Sequence, residues 1–326
     1  MRSHGFFVIF LSLLLVSASA AQDTTIHAQS NVVLIPALVK DSKGHAVYGL
    51  QAQDFIVEDD GSAQAVRLDE AAEAEPISLV IAVQIGREAG REFPRIKGLS
   101  SMIRPILDQE GTQAAVVQFD SGIELAQEFT DQQRLVENTL KTLKSGDGGA
   151  AILDAVKYSL NLLEQQPAGR QRVLLLVSET RDHGSHMATI DDVVTAIGET
   201  NTTVYTLVFS PSLSNILDTG RGNNQDEMNA GPDLLAPLLL IRQAMRKNVP
   251  KAISSMTGGE YALFESQNGF ETRMLDFTNH LHSRYLLSFQ PKDPRPGLHE
   301  LRVRLRDPQK REIFARGSYW ANAAVQ

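Results

Sequence analysis

The sequence contains no cysteine. That excludes disulfides, thiolate catalysis, cysteine-ligated zinc and lipid attachment through a thiol. A basic block is also missing: Lys and Arg number 31 against 39 Asp and Glu, for a formal charge of −8. The chain therefore carries no electrostatic footprint for nucleic acid, and its mild acidity favours solubility. Beyond the N-terminal region no apolar run approaches the roughly 20 residues a membrane helix needs. Leu234 to Ile241 is short and Pro237 interrupts it.

Several chemistry-bearing patterns are absent too. Gly146-Asp147-Gly148-Gly149 is glycine-rich but lacks the Lys-Ser/Thr of a phosphate loop. The acidic residues from Asp226 to Asp233 lack the alternation of a calcium loop. Asp182-His183-Gly184-Ser185-His186 offers two histidines without further ligands at metal-binding spacing. Nor does it show a nucleophile with a base and an orienting group, so it reads as a solvated loop. His280 and His282, two apart on an expected helix, do not share a face. No catalytic residue is assigned, and the chain is read as not an enzyme.

What is present is an ordinary globular composition, 42% hydrophobic and 21% charged over 326 residues, enough for about two domains. Arg2 and His4 precede an apolar run from Phe6 to Val16, followed by Ser-Ala-Ser-Ala-Ala to Ala21. A basic start, a short apolar stretch and a small-residue cleavage site make 1–21 a secretory signal, cut after Ala20 or Ala21. The expectation is an exported protein, periplasmic or secreted, with no membrane span once the signal is removed.

Three blocks follow. The first, 30–73, reads as β: Asn31 to Val39, then Phe55-Ile56-Val57, with Asp60-Gly61 as a hairpin turn and Ala65 to Leu68 returning. The second, 74–283, alternates strand and helix. Leu79 to Val83 and Val173 to Val177 are continuous apolar runs, as strands buried on both faces are. Ala114 to Phe119, Glu124 to Phe129, Val204 to Phe209 and Tyr261 to Phe264 are further strands. Ile96, Leu99, Ile103 and Ile106 recur at helical spacing. Thr130 and Gln133 suggest a capping box opening a helix to Lys144. Ile152 to Leu163, Ile190 to Ile197, Gln243 to Met256 and Phe270 to Leu281 are helical, the third ending at Gly258-Gly259. The stretch Pro211 to Leu240 shows little periodicity and reads as a long loop. The third block, 284–322, is β again. Leu301 to Leu305 alternates apolar residues with arginine, which places Arg302, Arg304 and Arg306 on a solvated face. Repeated β-α units predict a doubly wound, mainly parallel sheet. Neither β block is large enough to fold alone, so both ends are expected to form one small sandwich flanking that α/β domain.

An ordered set of phrases resembles the acidobacterial-type von Willebrand factor A-related family of exported proteins. "VVLIPALVKDSKGHAVYGLQAQDFIVEDDG" resembles its leading β segment and "ISLVIAV" its first A-domain strand. "VVQFDS", "GGAAILDAV" and "RVLLLVSETRDHGS" match later landmarks, and "SRYLLSFQP", "LHELRVRLRD" and "ARGSYW" the closing β segment. The resemblance covers nearly all of the chain after the signal. It implies a non-catalytic module that binds a protein partner. It also implies a metal-ion-dependent adhesion site with Asp-x-Ser-x-Ser after the first strand, a Thr in a second loop and an Asp after the fourth strand.

This chain departs from that pattern at each aligned position: Gln84, Gly86 and Glu88 replace Asp, Ser and Ser, Ala150 replaces Thr, and Glu179 replaces Asp. Mg²⁺ demands near-ideal octahedral oxygen geometry, so no Mg²⁺, Mn²⁺ or other cofactor is expected. The candidate binding face is Gln84, Gly86, Arg87, Glu88, Ala150, Asp154, Glu179 and Asp182. Arg87 can stand in the vacated position as a fixed charge. The alternatives are a metal-dependent adhesin rebuilt from Glu88, Glu179 and Asp154, and a structural envelope component.

Overall fold

The computed structural model describes residues 32–69, 75–87, 89–96, 98–209, 236–292 and 295–321. The expected signal, Glu88 and most of the expected Pro211–Leu240 loop lie outside them. Among the described residues no helix is long and apolar enough to cross a membrane.

The core of the fold is a six-stranded sheet. Its strands are β5 (Ile77–Gln84), β6 (Gln113–Phe119), β7 (Ile123–Thr130), β8 (Gln171–Ser178), β9 (Thr202–Phe209) and β10 (Tyr261–Phe264), in the spatial order β10-β9-β8-β5-β6-β7. All neighbours are parallel except the edge pair β6 and β7. Every residue of β5 is buried, because period-2 side chains feed two cores. Leu79, Ile81 and Val83 enter one apolar cluster, Val80 and Ala82 the other.

The first cluster is closed by short helices α1 (Ala89–Glu92), α2 (Leu99–Met102) and α3 (Arg104–Leu107), with α4 (Gln133–Lys141) and α9 (Gln267–Leu281). The second is closed by α5 (Ile152–Glu164), α6 (Ile190–Glu199), α7 (Ala236–Lys247) and α8 (Val249–Thr257). Ile96, Leu99, Ile103 and Ile106 are all buried as their spacing predicts. The segment nevertheless breaks between α2 and α3, where Pro105 occupies the first turn of α3.

The expected single helix from Gln243 to Met256 is likewise two. Asn248 leaves the helical region at φ −157°, accepts from the Lys251 N–H and caps α8, with Pro250 behind it. Gly258, at φ 77°, ends α8 as expected. The Thr130–Gln133 capping box is not formed: the Thr130 hydroxyl accepts from the Gln132 N–H at 3.1 Å, and α4 starts at Gln133 without a side-chain cap. The expected loop to Leu240 is helical from Ala236 onward.

Flanking strands build two antiparallel four-stranded sheets. From the N-terminal side come β1 (Val33–Lys40), β2 (Phe55–Asp59), β3 (Ser62–Gln64) and β4 (Arg67–Asp69). From the C-terminal side come β11 (Tyr285–Phe289), β12 (Gly297–Leu305), β13 (Glu312–Ala315) and β14 (Ser318–Ala321). One sheet runs β13-β1-β11-β4 and the other β14-β12-β2-β3. Both feed one apolar cluster that includes Ile35, Phe55, Val57, Leu287, Phe289 and Val303.

The hairpin at Asp60-Gly61, with φ of 46° and 77°, is tight enough that pairing resumes at Ser62. The returning strand is therefore β3 and not Ala65 to Leu68, whose end, in β4, crosses to pair with β11. On β12, Val303 and Leu305 point inward, Arg304 is exposed and Arg302 half-buried; Arg306, just beyond the strand, is exposed.

Polar groups join the sandwich to the α/β layer. Glu260, just before β10, meets Lys40 Nζ at 2.7 Å and His280 Nδ1 at 2.8 Å. Burial alone would raise its pKa, but the His280 and Lys40 contacts win and hold it below the usual 4.5. Arg316 is buried between the two layers. It donates to the carbonyls of Ser318 (2.8 Å), Gly198 (2.7 Å) and Ile197 (3.3 Å) and to Asn201 Oδ1 (2.8 Å). Desolvation depresses its pKa to about 10.

Arg316→Met keeps the apolar stem and deletes every donor, stranding buried carbonyls. It is expected to cost about 2–4 kcal/mol in urea unfolding; a loss below about 0.5 kcal/mol would show that the joint holds without it.

Candidate functional site

The loops after β5, β6 and β8 meet at the carboxyl end of the parallel strands, where α/β folds place ligands. Residues 84–87, 120–122, 145–151 and 179–188 form this end. They are laced together by backbone contacts. Gly146 N–H donates to Ile85 O at 2.8 Å, Arg87 N–H to Asp147 O at 2.7 Å, and Ala150 and His183 exchange both backbone bonds. The fit needs glycine: a Cβ on Gly86 would lie 2.0 Å from Gly149 O.

The aligned adhesion positions close on one another. Gln84, fully buried, donates from Nε2 to Gly86 O at 3.2 Å and accepts at Oε1 from the Glu179 N–H at 2.9 Å. Both ends of the amide are thus occupied. Arg87, in the left-handed region at φ 53°, brings Nε to 3.0 Å from Glu179 Oε1. His183 Nε2 stands 3.6 Å from the same oxygen. Ala150 is buried and offers no side-chain donor atom. A serine at position 86 would collide with Gly149. The residues present do not fit the fold family's metal ion: the Gln84 amide is committed, an arginine faces the Glu179 carboxylate, and Gly86 and Ala150 offer no side-chain oxygen where the family has hydroxyls.

Asp154 and Asp182 have a different role from the surface one expected of them. Asp154 is 1% exposed. Its carboxylate accepts from the backbone N–H groups of His186 (2.9 Å), Met187 (3.1 Å) and Ala188 (2.6 Å). Asp182 Oδ1 accepts from Leu153 N–H at 3.0 Å and Ser185 Oγ from Asp154 N–H at 3.1 Å. These groups satisfy the first-turn amides of α5, which has no side-chain cap of its own, and a carboxylate there suits the helix dipole. The exposed rim is instead Arg87, Gly146 to Gly148, Arg181, His183, His186 and Met187, the last 65% exposed.

Three rim-shaping residues escaped the sequence reading: Asp120, Ser121 and Asp147. Asp147 accepts from Gly149 N–H (2.7 Å), Ser121 N–H (3.0 Å) and the Ser121 hydroxyl. Asp120 accepts from Gly122 N–H (2.9 Å) and Asp147 N–H (3.0 Å). The signal was available in an Asp-Ser directly after a strand and an Asp among glycines, both turn-forming combinations. His280 and His282 diverge as expected, the first to Glu260 and the second to Gln109.

Residues 92–182 match the family described as von Willebrand factor type A domain. No curated protein matches the chain in sequence. Among solved structures, the chain is similar to a von Willebrand factor type A protein from Catenulispora acidiphila, with 10% identity, 90% of this chain and 75% of that one covered, and TM-score 0.45. It is similar also to the conserved hypothetical protein BatB from Bacteroides thetaiotaomicron, with 14% identity, 63% and 98% covered, and TM-score 0.43. A third is the vWF domain of the type V pili tip protein Mfa5 from Porphyromonas gingivalis, with 8% identity, 64% and 95% covered, and TM-score 0.43.

Two outcomes test this geometry. Asp154→Ala removes the acceptor of three backbone amides, that of Ala188 buried; the expected loss is about 2–4 kcal/mol, with faster amide exchange at 186–188 than elsewhere. Unchanged exchange there would refute the anchoring role. The Glu179 carboxyl is pushed above its usual 4.5 by burial, against the pull of Arg87 and His183. A raised folded pKa means that its contribution to stability is present below 4.5 and lost as pH rises through the folded value. Arg87→Ala should lift the NMR titration midpoint of Glu179 further; a downward move would contradict the assignment.

The fold of this chain is von Willebrand factor A-like, with residues 92–182 matching that domain's family.

Proposed function

We propose that the chain is an exported, non-catalytic binding module. Its A-like layer presents a metal-independent contact face to a protein partner in the periplasm or outside the cell. The observation that carries this reading is the closed set at the adhesion position. Gln84 is spent on Gly86 and Glu179, and Arg87 supplies beside Glu179 the positive charge that an ion supplies elsewhere in the fold.

An ion-dependent face needs open coordination positions and hard oxygen ligands. Here the carboxylates nearest the rim are committed to backbone amides, and the exposed groups are side chains suited to a protein surface: Arg87, Arg181, His183, His186 and Met187. A large exposed apolar residue beside cationic and imidazole groups is the composition of an interface anchor rather than of a solvating loop. Export is read from the Arg2–Ala21 pattern. The net charge of −8 supports no nucleic-acid partner.

The test uses affinity capture from an envelope extract in EDTA, with Met187→Glu as the control, alongside thermal melts in millimolar Mg²⁺. A partner retained in EDTA and lost with Met187→Glu is expected, with no Mg²⁺-dependent shift in Tm. A ligand at a hundred times its Kd adds about 2.7 kcal/mol to a folded state that alone binds it. A Mg²⁺ shift that Glu179→Ala removes would overturn the reading and restore metal-dependent adhesion.

A further inference from the structure

Where β12 pairs with β14, the β2–β3 hairpin and the start of β12 bring together Asp59, Asp60 and His299. These residues come from the two ends of the chain, some 240 positions apart. Each offers one ligand atom, and the atoms lie within 4.8 Å of one another. His299 is 4% exposed. Its Nε2 lies 2.6 Å from the carbonyl of Arg295. A carbonyl only accepts, so Nε2 carries a proton and Nδ1 is left to face the two carboxylates.

Nδ1 stands 3.0 Å from Asp60 Oδ2 and 3.5 Å from Asp59 Oδ1. It nevertheless makes no hydrogen bond, and buried Asp59 Oδ1 has no partner either. An imidazole lone pair facing two carboxylates is repulsive unless a cation lies between them or Nδ1 itself takes up a proton.

The second atom of every one of these groups is held in place. Asp59 Oδ2 accepts from the Tyr319 hydroxyl at 3.1 Å, and Asp60 Oδ1 from the Glu300 N–H at 3.0 Å. Tyr319 also stacks on the His299 ring, with centroids 4.8 Å apart and planes inclined by 18°. Metal sites show this pattern, in which outer partners orient the ligands; Asp59 Oδ1 and His299 Nδ1 are left without a hydrogen bond, and Asp60 Oδ2 meets the exposed Arg295 guanidinium. Ligands about 2.0–2.1 Å from a tetrahedral ion lie about 3.4 Å from one another, close to the separations seen here. The triad opens on a cavity of about 390 Å³ that supplies room for a water as fourth ligand. One imidazole nitrogen and two carboxylate oxygens suit Zn²⁺.

We propose that Asp59, Asp60 and His299 form a zinc site that staples the N-terminal hairpin to the C-terminal strand β12. The staple does for a chain without cysteine what a disulfide does elsewhere: it ties together distant segments and stabilises only the folded state. Arg295, whose exposed side chain reaches Asp60 Oδ2 at 3.3 Å, swings aside on loading.

The test titrates the full, chelator-stripped chain with Zn²⁺ by calorimetry, beside Asp60→Asn and His299→Gln. Wild type should take up one Zn²⁺ saturably and melt higher. Each substitution should weaken that uptake on the order of 100-fold, and His183→Ala with His186→Ala should leave it intact. Asp60 sits in an exposed turn, so its variant keeps the fold even if His299→Gln does not. X-ray absorption of the loaded chain should show one imidazole nitrogen with carboxylate oxygens at about 2.0–2.1 Å. Equal Zn²⁺ uptake by wild type and Asp60→Asn would overturn the site. So would a His299 ring that ¹⁵N NMR finds doubly protonated in saturating Zn²⁺, since a proton then does the bridging.

Discussion

β5 has no face toward water, and the architecture follows from that constraint. A strand with every residue buried demands a neighbour on each edge and a helical layer on each side. β6 and β8 flank it in parallel register, and parallel pairs need crossovers. The helices that make those crossovers supply the two covering layers. Once the layers exist, the loops after β5, β6 and β8 are forced to the same end of the sheet, where their backbone groups are crowded and partly dry.

Those crowded loops explain the character of the site. Amides shut away from solvent must find acceptors. The acceptors that join these loops are Gln84, Asp120, Asp147, Asp154 and Asp182, each reaching into a neighbouring loop or turn, the buried Gln84 and Asp154 and also the more exposed Asp120 and Asp147. The carboxylates that decorate the end of the sheet in sequence are mostly structural in space. What faces outward is a rim of cationic, imidazole and thioether side chains with the exposed Asp147 among them, on a backbone that these carboxylates hold in place. Glu179 is the exception. It is buried without backbone donors to its carboxylate, and Arg87 adopts a left-handed backbone to stand beside it.

The flanking strands solve a separate problem. Neither end of the chain carries enough apolar surface for a core. Joined, they share one cluster and close it against the α/β layer through Arg316 and the Lys40–Glu260–His280 contacts. The same union places His299 against Asp59 and Asp60. A group of ligands thus arises between segments that are remote in the chain.

The sequence by itself determined the repeating β-α order, the two apolar strands β5 and β8, the hairpin at Asp60-Gly61, the glycine stop at Gly258 and the arginine-bearing outer face of β12. Those features are local: period-2 or helical patterning and turn chemistry act over a few residues. The helix breaks at Pro105 and Asn248 also rest on local chemistry, a proline in a first turn and an Asn cap, although the helical periodicity ran through both; tertiary structure decided more distant matters. It decided which strand returns after the hairpin. It turned Asp154 inward, because the amides it serves lie more than thirty positions away. The Gln84–Glu179 closure and the Asp59–Asp60–His299 group were invisible for the same reason. Each depends on distances between remote residues, which no spacing along the chain encodes.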